Sequence, residues 1–229
     1  MQAVLLAGGF GTRLRAVVPD LPKPLAPVAG RPFITILLDQ LNEQGFRQVI
    51  LSVGYRHELI QQALGERYRD IELTYSVEAQ PLGTGGAIRL AARQCDAPEM
   101  FVLNGDSYVD ADYATIQSIH RSRGAQLTLC VTPVPDAGRY GRVVLEADRV
   151  IGFVEKGAQG PGMINAGVYL LAPSLVLEPD LPDVFSFEQD FLQGRLKQLN
   201  PMAVVTSGAF IDIGVPEDYA RANAMFAGR

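Results

Sequence analysis

The chain has 229 residues, 48% apolar and 20% charged, with a formal net charge of −5. That balance fits a folded domain with one substantial core and excludes both a disordered chain and general affinity for nucleic acid, which needs many Lys and Arg to neutralise phosphates. No apolar run approaches the length of a membrane span, and Met1 leads almost directly into an apolar run without the basic segment of a secretory signal, so a single cytoplasmic domain over 1–229 with no membrane partner is expected.

In chain order, residues 3–7 form a short apolar run that predicts a buried strand, followed by a loop holding Gly8, Gly9 and Gly11, then Thr12, Arg13 and, beyond a Pro-containing segment, Lys23. Residues 33–44 place Ile34, Leu37, Leu38 and Leu41 at helical spacing, with Gly45 where a C-terminal cap belongs. A strand over 49–53, a short helix over 57–64, an alternating strand over 71–77, a helix over 85–92 and a strand over 101–103 follow, the last ending in Asn104-Gly105-Asp106. Strands alternating with helices imply crossover connections, hence an α/β, Rossmann-like, mostly parallel sheet flanked by helices. Ligands of such sheets sit outside the carboxyl ends of the strands, where the first glycine loop and Asp106 both fall.

The second half changes character. A strand over 127–131, a hairpin of 142–145 with 150–154, and an apolar strand over 164–171 add antiparallel pairing to the C-terminal half. A loop rich in Pro and Asp spans 173–183, a helix is expected over 189–196, and short strands over 203–206 and 210–213 precede a last helix beginning at Pro216 with Glu217 and Asp218 in its first turn. Cys95 and Cys130 read as reduced thiols, and His57 and His120 as surface or helix-end residues without ligand-like partners.

The glycine loop reads in outline as a phosphate cradle, in which backbone N–H groups approach phosphate oxygens closely, with a tight strand-to-helix turn as the alternative. It is not a Walker loop, because no G-K-[ST] follows, and it lacks the third glycine of a dinucleotide fingerprint. Taken with Arg13, Leu14 and Pro22-Lys23-Pro24, however, G-x-G-T-R-L…P-K-P resembles the signature of the sugar-1-phosphate nucleotidylyltransferases, with Ala16 and Val18 standing where many members carry Pro and Thr. The likeness continues through Q-P-L-G-T-G-G-A at 80–87, Asn104-Gly105-Asp106, Arg139-Tyr140-Gly141, Glu155-Lys156, Asn165-Ala166-Gly167 and Asp212.

The resemblance implies a nucleotide-diphospho-sugar transferase fold, a nucleotide-binding part about 1–112 and a sugar-phosphate-binding part about 113–229. It implies Arg13 and Lys23 as catalytic residues. It also implies a nucleotide site of Leu6, Ala7, Gly8, Gly9, Gly11, Thr12 and Arg13 with base-reading Gln80, Gly83 and Gly85. Asn104, Gly141, Glu155, Lys156 and Asn165 would meet the sugar phosphate, and Asp106 and Asp212 would hold Mg²⁺. The implied partners are a nucleoside triphosphate and a sugar 1-phosphate, with homo-oligomerisation left open. R-Y-G-x-V at 139–143, F-S-F-E at 185–188 and F-I-D-I-G-V-P-E-D-Y at 210–219 look like the branch that is specific for GTP and D-glycero-D-manno-heptose 1-phosphate. A mannose-1-phosphate guanylyltransferase, a uridylyltransferase and a non-catalytic sugar-nucleotide sensor are the alternatives.

Overall fold

In the computed structural model, residues 1–9, 14, 17–157 and 159–228 are described. The first strand, β1 (Gln2–Leu6), is buried along nearly its whole length, as an apolar run flanked by strands on both sides requires. A two-stranded ribbon, β2 (Pro27–Val28) with β3 (Arg31–Pro32), leads into helix α1 (Phe33–Glu43), which is closed off by Gly45 at φ +83°. Then come β4 (Gln48–Val53), α2 (His57–Leu64), β5 (Arg67–Tyr68), β6 (Ile71–Val77), α3 (Gly83–Ala92), β7 (Met100–Asn104), β8 (Ser107–Val109) and α4 (Tyr113–Ser122). The second half supplies β9 (Leu127–Val134), β10 (Arg142–Glu146), β11 (Arg149–Val154), β12 (Gly162–Leu171), the short helix α5 (Leu196–Leu199), β13 (Met202–Val205), β14 (Phe210–Asp212) and helix α6 (Pro216–Phe226).

Ten strands form one sheet in the order β10-β11-β13-β9-β12-β7-β1-β4-β6-β5. The block β7-β1-β4-β6 is parallel, and β12 joins it antiparallel to β7, with Val168 opposite Leu103. β9 and β13 are parallel to each other, while β10 and β11 form a hairpin at the sheet edge. A separate ribbon pairs β14 with β8 and sets Asp212 opposite Ser107, one residue beyond Asp106.

Alternation along each strand divides its side chains between two cores. Ala3 and Leu5 face a core with Phe33, Leu37 and Phe46, whereas Val4 faces the opposite one with Ile88, Phe187 and Phe191. In the first core Phe46, Phe101 and Tyr113 meet edge to face at 5.2 to 5.5 Å between centroids, which explains why an aromatic begins α4. Among the described residues no helix is long and apolar enough to cross a membrane.

Three features depart from the sequence expectations. Helix α4 was not foreseen. Its apolar stripe is thin, and it is set by Asp112, whose side chain accepts from Thr115 N–H, and by Gly124 at φ +57° beyond its end. His120 stands in the last turn of this helix, a helix-end position as expected, but it is buried and hydrogen-bonded through Nδ1 to Thr128 Oγ1 at 2.8 Å. The helix expected over 189–196 begins earlier, as a π-helical stretch Phe187–Gln193 capped by Ser186, and Gly194 separates it from α5.

Candidate functional site

The carboxyl ends of β1, β4, β6 and β7 surround a cleft of about 330 Å³. Ala7 N–H donates to Ser52 O at 2.7 Å and Gly105 N–H to Leu6 O at 2.9 Å, so the loops after β1 and β7 are laid directly against each other. A Cβ on Gly105 would collide with the Leu6 carbonyl, and one on Gly8 would come within 2.9 Å of Glu78 Oε1. Glycine at these positions therefore satisfies packing as well as any ligand.

Of the residues expected around a nucleotide, Leu6, Ala7, Gly8, Gly9 and Gly83 line this cleft, together with Asn104 from the expected sugar side. Gly11, Thr12 and Arg13 lie outside the described residues. Gly85 sits in the first turn of α3, where a Cβ would enter the Phe185 ring, and its N–H donates to Phe185 O at 2.9 Å. Gln80 is exposed in the bend before α3 and does not line the cleft. Two side chains that no motif singled out do line it: Ser52, near the end of β4, and Glu78, just past β6.

Lys23 opens a 3₁₀ turn, with Pro22 before it and Pro24 after it, so the rigid φ angles of both prolines fix where its side chain starts. Its ammonium lies 2.6 Å from Asp106 Oδ2 and 3.8 Å from Asp212 Oδ1. Asp106 is held from its other side, with Ser107 Oγ donating to Oδ1 at 3.1 Å and Ile213 N–H donating to the Asp106 carbonyl at 2.9 Å. Gly214 N–H donates to Asp212 Oδ1 at 2.7 Å. Burial first, and then repulsion from Asp106, push the Asp212 carboxyl above its usual range, while Lys23, Gly214 N–H and Arg139 act in the other direction.

Among the described residues no group of three or more His, Cys, Asp or Glu forms a metal cluster. Two carboxylates sharing one cation do fit a hard divalent ion that takes one or two protein carboxylates and completes its shell with phosphate oxygens and water.

A second group of residues borders this one. Asp136 Oδ1 accepts from Gly138 N–H and Gly160 N–H, each at 3.0 Å, and Gly157 N–H donates to Gly138 O at 2.7 Å. Gly141, at φ +82°, is pressed against the end of β11, where a Cβ would lie 2.8 Å from Val154 O. Gly141 is thereby brought beside Glu155 and Lys156, both exposed. Arg139 ties this loop to the carboxylates: it ion-pairs with buried Asp218, and its Nη2 is 3.6 Å from Asp212 Oδ2. Asn165 Nδ2 donates to Tyr169 Oη at 2.6 Å and to Glu188 Oε1 at 2.9 Å, while Gly167 packs against the Asn104 side chain and links this strand to the cleft.

A family model described as nucleotidyl transferase matches residues 2–228. A D-glycero-alpha-D-manno-heptose 1-phosphate guanylyltransferase of Aneurinibacillus thermoaerophilus is 44% identical over 222 residues, covering 97% of this chain and 96% of its own. One of the same description from Campylobacter jejuni is 41% identical over 96% of this chain and 97% of its own. The crystal structure of HddC from Yersinia pseudotuberculosis complexed with GMP-PN superimposes with a TM-score of 0.86 at 39% identity, covering 98% of this chain and 99% of that one.

Proposed function

The chain belongs to the nucleotidyl transferase family, and from that membership we propose that it condenses GTP with D-glycero-alpha-D-manno-heptose 1-phosphate to give the GDP-sugar and pyrophosphate. The observation that carries this reading is the Lys23 ammonium held between Asp106 and Asp212 at a cleft bordered by Gly8 and Gly9. Both substrates are anionic, and such a site gathers the charges needed to bring them together.

A phosphate oxygen of the sugar 1-phosphate attacks the α-phosphorus of the nucleotide in line. A new P–O bond forms as the bond from the α-phosphorus to the α,β-bridging oxygen breaks, and pyrophosphate leaves on the opposite side. The nucleophile is already an anion, so no side chain need take a proton from it, and positioning with charge neutralisation supplies the catalysis. In this reading Gly8 and Gly9, with Gly11, Thr12 and Arg13 of the same loop, receive the triphosphate. Lys23 neutralises charge on the α-phosphoryl and incoming phosphate. Lys156 holds the acceptor phosphate, and Glu155, Asn165 and the Gly141 backbone meet sugar hydroxyls. Asp106 and Asp212 would hold Mg²⁺, which when bound withdraws charge from phosphate oxygens.

The test is pyrophosphate release from GTP, UTP, ATP or CTP, each paired with heptose, mannose, glucose or N-acetylhexosamine 1-phosphate. GTP with the heptose should give the highest kcat/KM. A higher value for mannose or for UTP would reassign the substrate, and nucleotide binding without pyrophosphate release from any pair would make the protein a sensor.

A further inference from the structure

One buried acid takes no part in the chemistry described above. Asp218 stands in the first turn of α6, where a carboxylate suits the helix dipole from the surface, yet it is 4% exposed. A carboxylate withdrawn this far from water is costly unless it is paired and hydrogen-bonded. Its Oδ1 accepts from Arg221 Nη1 at 2.6 Å, one turn along the same helix. Its Oδ2 is met from a distant part of the chain, by the guanidinium of Arg139 and by the Tyr140 hydroxyl, which donates at 3.4 Å. Arg221 already supplies a counter-ion from within the helix, so the second cation needs another reason.

Arg139 and Tyr140 belong to the loop between β9 and β10. The N–H groups of Tyr140 and Gly141 both donate to Ala137 O at 3.0 Å, which winds this loop into a single tight turn. Arg139 Nη2 donates to Tyr140 Oη at 2.9 Å and is 3.6 Å from Asp212 Oδ2, and the guanidinium lies 4.7 Å from the centre of the Tyr140 ring. That ring in turn meets Phe210 edge to face at 5.6 Å. Phe210 begins β14 and Asp212 ends it, with α6 following from Pro216. The loop is therefore fastened on both sides of Asp212, and the residue that follows Tyr140 is Gly141, pressed against Val154 O beside Glu155 and Lys156.

We propose that Asp218 is a positioning residue for the acceptor: by holding Arg139 it sets the Gly141 loop, and the sugar phosphate resting on that loop, at a fixed distance from Asp106, Asp212 and Lys23. The inference rests on the nucleotidyl-transfer reading above and names the anchor that aligns its nucleophile. In-line attack tolerates little error, a misplacement of about 1 Å costing on the order of a hundredfold. The planar fork of Arg139 addresses Asp218 with one nitrogen and both Tyr140 and Asp212 with the other, so a single side chain ties the loop to the helix and to the carboxylate at once. The nucleotide cleft, by contrast, is built on the ends of β1, β4, β6 and β7, and neither Arg139 nor Asp218 lines it. Loosening the anchor should then injure use of the acceptor and spare the binding of GTP.

Asp218→Asn keeps the size of the side chain and removes the charge that holds Arg139. With the sugar 1-phosphate that wild type uses best, it should raise KM for that substrate about tenfold and lower kcat about tenfold, while the GTP dissociation constant, measured without acceptor, stays within about twofold of wild type. Arg139→Met, which leaves Asp218 paired with Arg221, should give the same pattern. The double variant should be no worse than the more impaired single one, as two residues acting as one unit require. Wild-type acceptor kinetics in Arg139→Met overturn the proposal, whether or not Asp218→Asn folds. A GTP affinity that falls in step with use of the acceptor, or losses that simply add in the double variant, overturn it as well, because a contact that only supports the fold acts in that way. Absence of pyrophosphate release by wild type from every nucleotide would instead defeat the underlying functional reading, so the two failures are distinct.

Discussion

Lys23 is the residue on which most of the site's charge converges. Its side chain is 11% exposed, with one carboxylate at 2.6 Å and another at 3.8 Å, so replacing it removes a cation from a place where water screens poorly. Lys23→Met should lower kcat by on the order of a hundredfold or more while the protein stays folded, since preorganised charge contacts contribute about that much. Initial rates of pyrophosphate release at saturating substrates check this, and a wild-type rate would remove Lys23 from the reaction. Its candidacy was legible in the sequence through the Pro-Lys-Pro that carries part of the family resemblance. The approach of Glu78 to Gly8 was not legible, because it is produced by the adjacency of β1, β4 and β6 and leaves no local mark. Gln80, which the resemblance names as a base reader, is exposed in the bend before α3.

Among the elements, the start of α3 is the most constrained. Gly83 adopts φ +70°, and a Cβ there would lie 2.5 Å from the Phe185 carbonyl oxygen, while Gly86 meets Asp183 O equally closely. Phe187 N–H donates to Thr84 Oγ1 at 2.9 Å, so the Phe185 to Phe187 segment is clamped across the helix entrance. Gly83→Ala adds left-handed strain of about 1–2 kcal/mol before any clash is counted. It should lower the thermal midpoint by about 4 °C or more and raise KM for the nucleotide, readable by differential scanning fluorimetry and steady-state kinetics. An unchanged midpoint and KM would mean that the segment yields easily. The glycine-rich turn itself was legible in the sequence, because Gly-Thr-Gly-Gly next to Pro marks a backbone conformation. The clamp was not, since its other half lies about a hundred residues away, in a stretch whose helical signal was displaced by the π-helical turn.

At the scale of the whole molecule, the parallel half could be read from the chain because β1, β4 and β7 each carry their own buried run, β6 its own alternation, and the helices between them their own period. The placement of β12 between β9 and β7 is a fact about assembly, and no single element announces it. It is also what brings Gly167, whose N–H donates to Asn165 Oδ1, next to Asn104, across the seam where parallel pairing gives way to antiparallel. The ribbon of β8 and β14 does similar work, setting Asp212 beside Asp106 although about a hundred residues separate them. Two acids so close would push the free protein apart, were it not for the ammonium lodged against both. The molecule thus carries its own counter-ion, and its folding is expected to be independent of the supply of metal. Without nucleotide, the wild-type thermal midpoint should hold nearly constant between chelator and added Mg²⁺, because the ammonium already occupies the ion's place, whereas Lys23→Met should melt about 5 °C or more lower in chelator than with Mg²⁺, since only there does ion binding have a charge deficit to repair. Equal sensitivity of the two proteins would sink the idea. If instead the two proteins differ as expected, Lys23 serves twice, as a partner to phosphates during turnover and as a caretaker of the acidic pair whenever the enzyme waits empty.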